Sequence, residues 1–226
     1  MEKETCILKY NIKIGIPISK IVYSIFYIVI LSFIRGISHV EEIGVALDAN
    51  VLLLAIVFCA DTYYQEIQGN RWEVFHMLPR KQKYKTICQR LLIQCVFITL
   101  LIILGYWMFY LQNPRTLSSE TSQLRIYLSA VFACSVSVLF FGTLSLTLVN
   151  VFKNLWAGIG ASILVWLILN STIGKKIPEF INVFAYGNSS TLELTADWFA
   201  GKVFAIIVTV LLLISNMRLI AWKGKG

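Results

Sequence analysis

Charge is what this sequence has least of. Only 14% of its 226 residues are charged, where a soluble domain carries about 25%. With 58% hydrophobic residues and a mean hydropathy of +0.73, a globule of this size could not clothe its surface for water. Acids are scarcer than bases, 12 against 20, which leaves a net charge of +8. The basic residues lie in short segments between apolar runs and do not form a soluble domain, so nucleic acid is not an expected partner.

Other shortages exclude whole chemistries. The two histidines (His39, His76) and five cysteines (Cys6, Cys59, Cys88, Cys95, Cys134) offer no zinc-ligand spacing, and small apolar thiols kept reduced are expected. There is no HExxH, no GxSxG and no aspartate pair at intramembrane-protease spacing. Glu41-Glu42 lacks the arginine that paired-glutamate membrane proteases place four residues on, since Ala46 stands there. Gly174-Lys175-Lys176 lacks the leading glycine of a phosphate-binding loop, so no catalytic residue, metal or cofactor is expected in this chain. Carboxylates are too few within the apolar runs for an ion relay. Asp48 and Asp61, at the two ends of one run, are expected at the interface, and Asn150, Asn170 and Asn216 are expected to cap helices or bond between them. No cleavable signal peptide is evident.

What is present is a series of apolar runs, read as a single all-α transmembrane domain over 1–226. Residues 1–20 mix lysines with Ile7, Leu8, Tyr10, Ile12 and Ile14. The period-two alternation from Tyr10 to Ile18 is strand-like, but a lone strand beside lipid leaves its backbone unpaired, so an interfacial helix is expected, bending at Gly15 and Pro17. Six spans are predicted, at about 18–34, 47–64, 91–111, 126–149, 155–169 and 202–220, with Lys20 snorkelling from the first. Residues 35–46 read as a loop and 150–154 as a tight turn. Ala157, Gly158, Gly160, Ala161 and Ser162 form a small-residue face for helix packing. Residues 171–201 read as an external segment with a re-entrant or interfacial helix over 177–186, then a second short amphipathic piece through Trp198.

The polar stretch 61–90 is the longest that cannot lie in lipid. Arg71, Arg80, Lys81, Lys83, Lys85 and Arg90 are interleaved with Trp72, Phe75, Met77 and Leu78 at helical spacing, which predicts a short amphipathic helix ending at Pro79. Six spans place both termini and this stretch on one side. That side holds fourteen Lys and Arg against six opposite, and so is read as cytosolic.

The order Glu66…Arg71-x-Glu73-x-Phe75-x-x-Leu78-Pro79, between a second and third span, resembles the cytosolic segment of type-two ABC transporter permeases. Glu73, Phe75, Leu78 and Pro79 match that family's pattern by position and Glu66 matches its upstream acid, whereas Asn70 and Arg71 replace the usual glycine and threonine. Leu8-Lys-Tyr-Asn-Ile-Lys, Phe140-Phe-Gly-Thr-Leu and the region 177–198 resemble further family segments, so the likeness spans practically the whole chain. The resemblance implies the permease subunit of an exporter in a bacterial plasma membrane. Its partners would be separate ATPase subunits, which bind ATP and Mg, a second permease copy or homologous permease, and membrane lipids. It also implies that Glu66, Arg71, Trp72, Glu73, Phe75, Leu78 and Pro79 couple to the ATPase. Tyr23, Phe26, Tyr27 and Trp166, in spans poor in charge, are expected along the path of an apolar or amphipathic cargo: a peptide antibiotic, a lipid-like molecule or a drug. The rival expectation is a stand-alone membrane protein that binds or shields against a toxic peptide without any ATPase.

Overall fold

A computed structural model describes residues 2–67, 77, 79–116, 122–188 and 197–222. Among them every regular element is helical. The order is α1 (Glu2–Gly15), α2 (Ile18–Ile34), α3 (Val40–Asn50), α4 (Leu52–Ile67), α5 (Arg80–Tyr110), α6 (Gln123–Phe152), α7 (Leu155–Asn170), a 3-10 turn (Gly174–Lys176), α8 (Ala185–Asn188) and α9 (Asp197–Trp222).

Residues 2–15 and 18–20 are helical despite the alternation. Pro17, at φ −64° and ψ 156°, cannot continue α1, and the chain turns 54° there into α2. Four helical stretches are long and apolar enough to cross a membrane: 40–66, 81–110, 123–152 and 198–219, or five if the bent pair α1–α2 counts as one. The chain is thus compatible with a multi-pass membrane protein. At 17 and 16 residues, α2 and α7 are apolar but shorter than those four.

Helix α6 is the hub, packing against α3, α4, α5, α7 and α9. In lipid no hydrophobic force drives apolar helices together, so close contact depends on small residues and polar links. Gly142 of α6 leaves room for Cys59 of α4, whose Sγ would lie 2.9 Å from a Cβ added at that position. Gly158 of α7 sits tighter still, since a methyl there would come within 2.6 Å of the Val149 backbone. Between those two helices Lys153 adopts the left-handed conformation at φ 54°, and Asn154 caps α7 by accepting from the Trp156 and Ala157 amides. The small-residue face is only half used within the chain: Gly158 and Ser162 are buried, while Ala157 and Gly160 are exposed.

Several boundaries differ from the sequence reading. Helix α5 already begins at Arg80, ahead of the span expected from 91, and α6 runs on through Phe152, so the turn expected over 150–154 shrinks to Lys153 and Asn154. The loop expected over 35–46 ends at His39, because α3 begins at Val40 and carries Glu41 and Glu42 in its first turn, where the helix dipole favours acids. With α4 it makes a run of 27 residues, well beyond the span expected at 47–64. The helix expected over 177–186 is instead a set of turns through Phe184, with only Ala185 and Tyr186 helical, in the short α8. Pro178 starts them, and Asn182 holds them by donating to Gly174 O (3.0 Å) and accepting from the Phe184 amide (2.9 Å). Val183, Phe184, Ala185 and Tyr186 are buried there. The second amphipathic piece lies largely in 189–196, outside the described residues.

Candidate functional site

Among the described residues two ion-paired clusters lie within this apolar bundle, one at the end of α4 and the other at the end of α3, beside the join of the α3–α4 run. The first is built where α1, α4 and α5 meet, at the basic end of the molecule. Glu66, on the last turn of α4, is buried and paired with the guanidinium of Arg90 on α5. Arg90 Nε also donates to Asn11 Oδ1 of α1 at 3.1 Å, and Asn11 Nδ2 donates to Gln89 Oε1 at 3.0 Å. Beside this chain, Gln94 accepts from the Thr62 hydroxyl (2.7 Å) and donates to Gly15 O at the end of α1 (3.2 Å).

Lys20 completes this cluster by turning inward. Its ammonium is 2.8 Å from Asp61 Oδ1, donates to Phe58 O at 3.2 Å and lies over the Phe58 ring. The side chain expected to snorkel to the interface is therefore an inter-helix link, and Asp61 also accepts from Gln65 at 2.7 Å. Both ion pairs meet the cost of desolvation by adding hydrogen bonds around the charges, the condition under which buried pairs persist.

The second cluster is one that sequence reading missed. Asp48, expected at an interface, is 3% exposed, and Lys202, the first residue of the span expected at 202–220 and one of the six basic residues assigned to the external side, is 0% exposed. The Lys202 ammonium lies 3.0 Å from Asp48 Oδ2 and donates to Ser137 Oγ at 2.6 Å, so α3, α6 and α9 meet on one buried cation. Asp48 Oδ1 has no hydrogen-bond partner among the described residues.

Three residues beyond Asp48 the α3–α4 run is interrupted at Val51, which closes a tighter turn by accepting from the Leu54 amide at 3.0 Å. The carbonyls of Ala49 and Asn50 accept side-chain donors instead: Trp166 Nε1 of α7 at 2.9 Å and the Tyr27 hydroxyl of α2 at 3.0 Å. A helix interrupted in an apolar setting must have its freed carbonyls satisfied from within the protein, and flanking helices on two sides do so here. Further along α6, Asn150 Nδ2 donates to Asn216 Oδ1 of α9 at 2.8 Å, so of the two roles expected for these asparagines, capping or bonding between helices, this pair takes the second.

The sequence matches no family model and no curated protein, and the fold matches no solved structure. Function therefore rests on the residues themselves.

The expected site residues are distributed as follows. Arg71, Trp72, Glu73, Phe75 and Leu78 lie outside the described residues. Glu66 is held by Arg90, and exposed Pro79 precedes α5 as its N-terminal cap. Of the four aromatic residues expected along a cargo path, Tyr23 and Phe26 are well exposed on α2, while Tyr27 and Trp166 face inward to the break at Val51. These four do not converge on one cavity. No group of three or more His, Cys, Asp or Glu among the described residues could hold a metal ion.

Proposed function

We propose that the chain is the permease subunit of an ATP-driven ABC exporter. Six helical spans (α2, the joined α3–α4, α5, α6, α7 and α9) cross the plasma membrane of a bacterium, with both termini and the 61–90 stretch in the cytosol. The observation that carries this reading is the Glu66–Arg90 pair. It clasps the helix that leads into the polar segment 68–79 to the helix that leaves it, and Asn11 adds α1 to the clasp. A push on that segment would reach three helices together, as a lever between an ATPase and a set of spans requires. The match of Glu66, Glu73, Phe75, Leu78 and Pro79 to the permease pattern supports the same reading.

In this scheme ATP and Mg bind separate ATPase subunits, two permease halves form the pathway, and closure of the ATPase pair drives alternating access. Only a difference in affinity between the two states can do that work. The weak charge of the spans favours an apolar or amphipathic cargo such as a peptide antibiotic, lipid-like molecule or drug.

The test is co-purification of an ATPase after mild detergent extraction, combined with Phe75→Ala and Leu78→Ala. Apolar anchors of this kind carry about 2 kcal/mol or more each, so both variants are expected to lose ATPase association while membrane yield stays normal. Normal association in both variants would leave the segment without a coupling role. If no ATPase is captured at all, a stand-alone peptide-binding protein becomes the better reading.

A further inference from the structure

A groove opens on the side of the bundle where α6 and α9 begin, one helical turn from Lys202 along α9 but lined by none of the ion-paired residues. Its volume is about 530 Å³, and Arg125, Leu128, Ser129, Phe132, Trp198 and Phe199 line it. Four of these residues, 125, 128, 129 and 132, follow the i, i+3, i+4, i+7 spacing of one face of α6. The aromatic floor is fixed. Phe132 and Phe199 stack at 5.9 Å, and buried Trp198 meets Phe132 at 6.4 Å and Tyr186 edge-on at 5.3 Å.

Polarity runs in one direction along the groove. Exposed Arg125 stands at its mouth, in the first turn of α6, and no carboxylate among the described residues pairs with it. Phe132 lies seven residues deeper, about 10 Å along a helix that rises 1.5 Å per residue. That depth is roughly a third of a hydrocarbon core about 30 Å thick. The candidate spans begin at Gln123 and Trp198, so the mouth sits where headgroups meet acyl chains.

We propose that this groove is a binding site for an anionic phospholipid. The Arg125 guanidinium pairs with the lipid phosphate, for which its planar fork of donors is suited, and one acyl chain lies over Leu128, Phe132 and Phe199. The charge at the mouth selects an anionic headgroup. The apolar floor selects a chain, and the exposed flank at Leu128 leaves the groove open sideways to the bilayer. This inference is independent of the exporter reading, because it needs neither an ATPase nor the 68–79 segment.

The experiment uses the full chain in phosphatidylcholine nanodiscs, titrated with phosphatidylglycerol or phosphatidylcholine carrying brominated acyl chains. Trp198 is the probe, isolated by subtracting the signal of Trp198→Phe. Brominated phosphatidylglycerol is expected to half-quench Trp198 at about a five-fold lower mole fraction than the brominated choline lipid, the worth of one basic side chain near an anionic partner. Arg125→Gln, at an exposed position, is expected to abolish that preference with helix content unchanged. Because Trp198→Phe perturbs a packed ring, native mass spectrometry provides a second readout: wild type retains phosphatidylglycerol through detergent exchange and Arg125→Gln does not. Equal quenching by both lipids, or equal retention by wild type and Arg125→Gln, would overturn the proposal in favour of ordinary annular lipid.

Discussion

Lys202 and Asp48, 154 residues apart in the chain, form an ion pair sealed from solvent, with 3.0 Å between Nζ and Oδ2. The pair joins the first turns of α9 to the last turns of α3, and Ser137 brings in the middle of α6. A charge in such a place is costly to orphan. Lys202→Met is expected to destabilise the folded protein by about 3–5 kcal/mol, because Asp48 would be left buried without a counter-charge. Asp48→Asn with Lys202→Met removes both charges and is expected to recover most of that loss. Thermal unfolding in a mild detergent measures both, and a Lys202→Met variant as stable as wild type would show that the two groups are not paired.

The basic end follows the same logic with a graded outcome. Arg90→Ala strands Glu66 and also removes one of the two partners of Asn11, whereas Asn11→Ala leaves the ion pair in place and one hydrogen bond each of Arg90 and Gln89 unfilled. Losses of about 3–5 kcal/mol and about 1–3 kcal/mol are expected, respectively. The order of the two melting temperatures is the check. The reverse order would mean that α1, and not the ion pair, holds the base together.

At the interruption near Val51, Trp166→Phe and Tyr27→Phe each remove one donor from a freed carbonyl. Hydrogen bonds between helices in lipid are worth about 0.6 kcal/mol on average and up to about 1.7 kcal/mol. Each variant should therefore be mildly destabilised, and the pair should be additive, since the two carbonyls are separate acceptors. Stability measurements on the single and double variants test this, and a double variant no worse than either single would mean that one donor can serve both carbonyls.

Two glycines two residues apart on α7 give a controlled comparison. Gly158→Leu drives a side chain into the Val149 backbone, while a Cβ at Gly160 meets nothing within 4 Å. Gly158→Leu is expected to lower the yield of folded protein several-fold, and Gly160→Leu to leave it near normal, as judged by size-exclusion chromatography of membrane extracts. Equal yields would mean that α6 and α7 do not pack as closely as described.

Much of the architecture was legible because local chemistry fixes it. The bend at Gly15 and Pro17 and the turn before Asn154 both follow from residue types at helix ends. The start of α3 was not legible, because Glu41 and Glu42 read as loop residues when judged by charge, although acids are favoured in the first turn of a helix. The turns over 177–184 were hidden by an apolar composition that fits a helix equally well, and the side-chain bonds of Asn182 decide between the two. The partner of Lys202 could not be read at all, since a single sequence holds no signal linking positions so far apart. Glu66 was singled out as a contact for a partner, yet within the chain its carboxylate belongs to Arg90.

Helix α7 has 16 residues, or about 24 Å of helix, against a hydrocarbon core of about 30 Å. Helix α2, on the other side of the interruption, is hardly longer at 17 residues. Where such helices meet lipid, the membrane must compress or the protein must tilt, at a cost of fractions of a kcal/mol for each ångström of mismatch. The two short helices are also the ones whose Tyr27 and Trp166 brace the interrupted α3–α4 run. In the proposed layout, where α2 and α7 each cross the bilayer, membrane thickness acts on that interruption from two sides, so the protein should be more stable in bilayers of shorter acyl chains and strained in thicker ones.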